Sequence, residues 1–205
     1  KDDGSDQGTA WRAAGFDDST WGSGAGQLGW GTTTNATTLG ATHPLTTYYR
    51  GTFTVADASQ VKVLTLRTKV LMGSVVYVNG VEVGRYNMAP GPVTATSTAA
   101  GYLTTAQETQ IATTQVPGSV LRTGTNQVAV EVHNMRAGST RGWFDLEATT
   151  YGAGGEANAP TAPVLTVAPG TAGAALAWTP STDDVALGGY VISRDGQTIA
   201  VTDPL

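Results

Sequence analysis

Three observations predict an all-β chain. Helical periodicity is almost missing, short runs of alternating apolar and polar residues recur, and Gly, Asn and Pro punctuate those runs at close intervals. At 205 residues the chain is long enough for one large domain and part of a second.

The first segment, GFDDSTWGSG at residues 15–24, reads as a turn with two carboxylates between two aromatics. In LTTYYRGTFTV, Tyr49, Phe53 and Val55 fall on one face of a strand and Tyr48, Arg50, Thr52 and Thr54 on the other. SVVYVNGVEVGRY carries Asn79-Gly80 between two valine-rich arms. Both residues tolerate the positive φ of a type I′ turn, so a hairpin is predicted there. PGSVLRTG, from Pro117, predicts one or two helical turns. NQVAVEVHNM sets Val128, Val130 and Val132 against Ala129, Glu131 and His133, and WFDLEATTY sets Phe144, Leu146 and Ala148 against Trp143, Asp145, Glu147 and Thr149. Each of these two strands is predicted to have one buried and one wet face. With RAGSTRG (residues 136–142) between them, they are expected to pair as a long-tipped hairpin that brings His133 beside Trp143. The expected core is Val128, Val130, Val132, Phe144 and Leu146.

Residues 1–152 are thus predicted to form one β-sandwich. GAGGEANAPTAP is small and flexible and then proline-stiffened, which places a linker at 153–159 and a second unit at 160–205. The second unit has strands in VLTVAP, AALAWTP and GYVISRDGQTIAV, but its 46 or so residues are about half of an immunoglobulin-like sandwich of roughly 100. Asp183-Asp184 reads as a solvated turn.

With 16 acidic against 11 basic residues the net charge is -5, and no basic run exists, so nucleic acid is not an expected partner. No apolar run reaches membrane-spanning length, so membrane insertion is not expected either. The chain has no cysteine, which excludes disulfides and thiolate chemistry. It opens Lys1-Asp2-Asp3 without an apolar leader, so a mature or trimmed product is expected, and the abundance of Thr, Gly, Ala and Val with little Lys resembles secreted modules, so an extracellular location is expected. There is no G-x-S-x-G, G-x-x-x-x-G-K or H-E-x-x-H motif, and no enzyme is expected.

The ordered phrases KDDGSDQGTAWRAAGFDDSTWGSGAGQLGWG, TTYYRGTFTV, SVVYVNGVEVGRYNM, TNQVAVEVHN and WFDLE resemble the galactose-binding-like jelly-roll modules attached to secreted bacterial metallophosphoesterases and glycoside hydrolases. PTAPVLTVAPG and ALAWTPSTDDVALGGYVISRDGQTIAV resemble the first half of a fibronectin type III domain, with Trp178 and Tyr190 as core residues. The resemblance implies a jelly-roll β-sandwich that binds polysaccharide or a cell-surface glycan as an accessory to an attached enzyme. It also implies an acidic residue near position 141, where this chain has Arg141, and an acidic pair where it has Leu71 and Met72.

On this reading the ligand-binding set is His133, Arg136, Arg141, Trp143, Asp145 and Glu147, an aromatic platform among hydrogen-bonding groups. Trp30 joins them beside the polar stretch GTTTNATTLGATHP. Asp17 and Asp18 are the candidate metal ligands, for a structural calcium ion; the competing reading makes one of them a turn cap over Phe16 and Trp21. Two further functional readings stay open. One is a structural or adhesive module completed by strands of another protein chain at its unpaired edges. The other is a non-catalytic fragment of a secreted hydrolase.

Overall fold

The computed structural model describes residues 1–152, 160–170, 173–183, 189–194 and 197–202. The 153–159 linker and Asp184 lie outside the described residues. The chain divides into two compact units, Lys1–Gly152 and Ala153–Leu205. No helix among the described residues is long and apolar enough to cross a membrane.

The first unit is a β-sandwich. Its strands are β1 (Leu28–Trp30), β2 (Thr37–Thr38), β3 (Thr46–Val55), β4 (Val61–Val70), β5 (Gly73–Val78), β6 (Val81–Tyr86), β7 (Ala112–Pro117), β8 (Gly124–His133) and β9 (Gly142–Gly152). One sheet has the order β2-β1-β9-β4-β7 and the other β3-β8-β5-β6. β5 and β6 form the predicted hairpin, with Asn79 at φ 51° and Gly80 at φ 85°. The helical turn expected after Pro117 is one 3-10 turn, Gly118–Val120. A short helix, α1 (Thr105–Glu108), has a capping box between Thr104 and Gln107.

Leu64, Leu66, Val70, Val76, Val78, Val116, Val130, Val132 and Phe144 fill the space between the sheets, with Val128 and Leu146 packed at its margin. Burial of this apolar surface is the main force holding the two layers together.

Two expectations are corrected. β8 and β9 do not pair as a hairpin, because β8 already has β3 on one edge and β5 on the other. β9 lies in the opposite sheet between β1 and β4. Residues 134–141 therefore cross between layers about 10 Å apart, and the valines of β8 meet Phe144 and Leu146 across the core instead of beside them.

The second face of β8 is not wet. Ala129, Glu131 and His133 are buried, and Trp11 from the N-terminal segment packs on Tyr48, Val75, Tyr77 and Ala129. Trp11 meets Tyr48 and Tyr77 edge-on, with ring centroids 4.9 and 5.8 Å apart. Every residue of β5 is buried, as its unbroken run GSVVYV requires of a strand covered on both faces.

In the second unit β10 (Leu165–Gly170) pairs antiparallel with β11 (Gly173–Trp178), and β12 (Tyr190–Arg194) with β13 (Gln197–Thr202). The rings of Trp178 and Tyr190 meet at 5.4 Å, and Tyr190 Oη accepts from the Ser181 amide at 2.7 Å.

Candidate functional site

The alternation of β9 puts Phe144 and Leu146 into the core and Trp143, Asp145 and Glu147 on the outer face of the five-stranded sheet. Cations of β4 stand directly opposite: Lys69 is in register with Asp145 and Arg67 with Glu147. Arg67 Nε lies 3.5 Å from Glu147 Oε2. Arg141, just before β9, places its guanidinium 5.7 Å from the centre of the Trp143 ring and its Nη2 2.7 Å from Glu108 Oε1. Glu108, from α1, thus pairs with the arginine that stands where the resemblance implied an acidic residue. Glu108 escaped the sequence reading, although the Thr104-x-x-Gln107 capping box marked the helix that carries it.

Arg141, Trp143, Asp145 and Glu147 therefore share one partly exposed strip. Trp143 contributes a half-covered ring whose Nε1 is buried without a partner. Arg136 is exposed in the 134–141 crossing, where its carbonyl accepts from Ser139 Oγ at 3.1 Å.

His133 and Trp30 leave the set. His133 is fully buried, beside the Thr46 hydroxyl and the Ser97 carbonyl. Its Nδ1 is 2.9 Å from the Ser97 carbonyl, which can only accept, so Nδ1 is assigned the proton. Nε2 lies 3.3 Å from Glu131 Oε2, outside hydrogen-bond geometry. Glu131 also accepts from Tyr77 Oη at 2.5 Å and Arg12 Nη2 at 3.2 Å. Burial pushes the Glu131 carboxyl up, but His133, Tyr77 and Arg12 outweigh it and hold the group below its ordinary range.

Trp30 is buried rather than on a rim. Its ring stacks on His43 at 4.9 Å and 9°, its Nε1 donates to the Ser139 carbonyl at 2.8 Å, and it lies over Gly142.

Asp17 and Asp18 serve different partners. Asp17 Oδ1 accepts from the Ser19 amide at 3.0 Å, and the Ser19 hydroxyl first, then this amide, lower its pKa. Asp18 Oδ2 takes Arg50 Nε at 2.7 Å, and Phe16 and Trp21 pack edge-on nearby. A calcium ion at Asp18 would have to share the carboxylate with that guanidinium. Among the described residues no group of three or more His, Asp or Glu is gathered so as to hold a metal ion.

A groove opens where β1 and β3 face each other across the sandwich edge. Its larger cavity, about 290 Å³, is lined by Gly22, Ser23, Leu28, Tyr49, Phe144 and Asp145, among others.

Residues 46–126 match the family model of the beta-galactosidase galactose-binding domain. The fold of the first unit is consistent with a galactose-binding-like β-sandwich. No curated protein matches the sequence. Among solved structures, beta-glucuronidase of Bacteroides uniformis is 22% identical, with a TM-score of 0.44 over 69% of this chain and 16% of that chain. Streptomyces avermitilis alpha-L-rhamnosidase is 20% identical, with a TM-score of 0.35 over 69% of this chain and 11% of that one. A beta-glycosidase from Bacteroides vulgatus is 18% identical, with a TM-score of 0.38 over 69% and 18%. The chain spans less than a fifth of each of these proteins. Within the galactose-binding-like sandwich, the matched residues run from β3 to the start of β8, so the β9 strip lies outside them.

Proposed function

We propose that the chain is a non-catalytic carbohydrate-binding accessory module of a larger secreted protein. The observation that carries this reading is the outer strip of β9, where Trp143 stands between Arg141 and the carboxylates of Asp145 and Glu147. An indole face matches the apolar C–H face of a pyranose, and the flanking groups supply donors and acceptors for its hydroxyls. The two carboxylates stand opposite cations rather than in the contrasting environments that a catalytic acid and base require. The match to a galactose-binding domain supports the same ligand class.

Retention on insoluble polysaccharides tests this. The intact chain is expected to be held and Trp143→Ala released, with unchanged far-UV circular dichroism. Equal retention of both, or none of either, would overturn the reading.

For the second unit the exposed apolar residues Val164, Leu165 and Val167, each more than half accessible, favour packing against further β-structure. Sedimentation equilibrium checks whether a second copy supplies it: a concentration-independent monomer rules that out.

A further inference from the structure

We infer that the groove between β1 and β3 is a binding site for a neutral pyranose, which enters between the Gly22–Gly26 segment and the rings of Tyr49 and Phe144. The inference rests on the carbohydrate reading and adds a second place and a charge class to it.

The larger cavity, about 290 Å³, lies near the lower end of the range for small-molecule sites, roughly 300–1,000 Å³. A neighbouring cavity of about 220 Å³ shares Gly22, Ser23, Leu28 and Tyr49 with it, so the two form one groove. The floor is aromatic and aliphatic. Tyr49 and Phe144 stack at 4.5 Å and 29° with Leu28 beside them, so ring edges and aliphatic carbon give the floor an apolar surface for the C–H groups of a sugar.

The wall over this floor is backbone. A Cβ at Gly24 would run into the Thr37 side chain and one at Gly26 into the Asp145 carboxylate, so the absence of side chains lets this backbone lie close against both. Ser23 is the polar side chain of that wall. Asp145 Oδ1 accepts from the Leu146 amide at 3.0 Å, and its second oxygen has no partner among the described residues. In the smaller cavity the buried Thr47 hydroxyl also has none. Buried polar groups are normally paired, and an orphan beside an open cavity is a natural partner for an incoming hydroxyl or its water.

Charge selects the ligand. The cation on the larger cavity is Arg50, and its donors are spent on Asp18, on Gln127 Oε1 at 3.0 Å, and on the Ala13 and Trp11 carbonyls. In the smaller cavity Lys1 pairs with Asp3 at 3.3 Å and Asp2 lies beside it, while Lys69 faces Asp145 from β4 outside both cavities, so the lining carries more carboxylate than unpaired cation. Neutral sugars are accepted, while uronates and sulfated sugars meet a carboxylate in poorly screened surroundings.

Amide chemical shifts of the full chain, titrated with methyl β-galactopyranoside, methyl β-glucopyranoside and glucuronate, test the inference. Saturable shifts at residues 22–26 and 145–146 are expected with a neutral glycoside, at least tenfold weaker with glucuronate. Asp145→Asn, a same-size change on a partly exposed side chain, is expected to weaken neutral-sugar binding at least fivefold and to narrow the discrimination against glucuronate. Equal binding of neutral and anionic sugars would overturn the inference. Shifts confined to residues 141, 143 and 147 would refute the groove and leave the carbohydrate reading standing, as would polysaccharide retention with no shift from any small sugar. Neither retention nor shifts would overturn both.

Discussion

Arg50 and Asp18, 32 residues apart in sequence, meet with Nε 2.7 Å from Oδ2, and this pair pins the N-terminal segment to the four-stranded sheet. The Arg50 side chain is almost wholly buried, while Asp18 is nearly half exposed. The same guanidinium holds Gln127 on β8 and the carbonyls of Trp11 and Ala13, so one side chain ties β3, β8 and the segment around Trp11 together.

Arg50→Ala is therefore expected to destabilise the first unit by about 3 kcal/mol, since it strips charge-assisted hydrogen bonds and leaves the part-buried Trp11 carbonyl and Gln127 amide oxygen unmet. Asp18→Asn, on the exposed side of the pair, is expected to cost about 1 kcal/mol or less. Urea unfolding at constant m-value checks the ranking.

Glu131 makes stability depend on acid. Its folded carboxyl lies below the ordinary range, so the stability it contributes is fully present above the unfolded value, about pH 4.5, and is lost as pH falls through the folded value. Glu131→Gln is expected to flatten this part of the acid-side loss. At pH 7 it is expected to cost about 3 kcal/mol, because Arg12 loses its buried counter-charge. Urea midpoints from pH 3 to 7 for both proteins decide.

Trp30 acts as a packing residue. Trp30→Ala is expected to cost about 3–5 kcal/mol. Gly142→Ala is expected to cost about 1–3 kcal/mol, because the new methyl would lie 2.5 Å from the Trp30 ring. A Trp30→Ala variant that keeps full thermal stability while losing polysaccharide retention would return this residue to the binding surface.

Chelation separates calcium from the Arg50 pair. With Asp18 engaged by Arg50 and Asp17 by Ser19, EDTA is expected to leave the Tm unchanged. A fall of several degrees on chelation, reversed by calcium, would show a metal site despite that geometry.

The sequence by itself determined what depends on neighbours along the chain. The alternation in NQVAVEVHNM and WFDLEATTY marked strands and their apolar faces, Asn79-Gly80 marked a hairpin through its positive φ angles, and the β9 alternation brought Trp143, Asp145 and Glu147 to one face. Only the tertiary structure decided what covers each polar face and which strand lies beside which. His133 and Trp143 are close in sequence, yet they sit in different sheets because β8 had both edges taken by β3 and β5. The face carrying Glu131 and His133 looked wet because its charges are local facts, whereas the partners that satisfy them, Arg12, Tyr77, Thr46 and Ser97, come from distant segments. The groove was hidden for the same reason. Its aromatic floor joins residues of β3 and β9, and its wall is glycine backbone, which leaves no side-chain pattern to read.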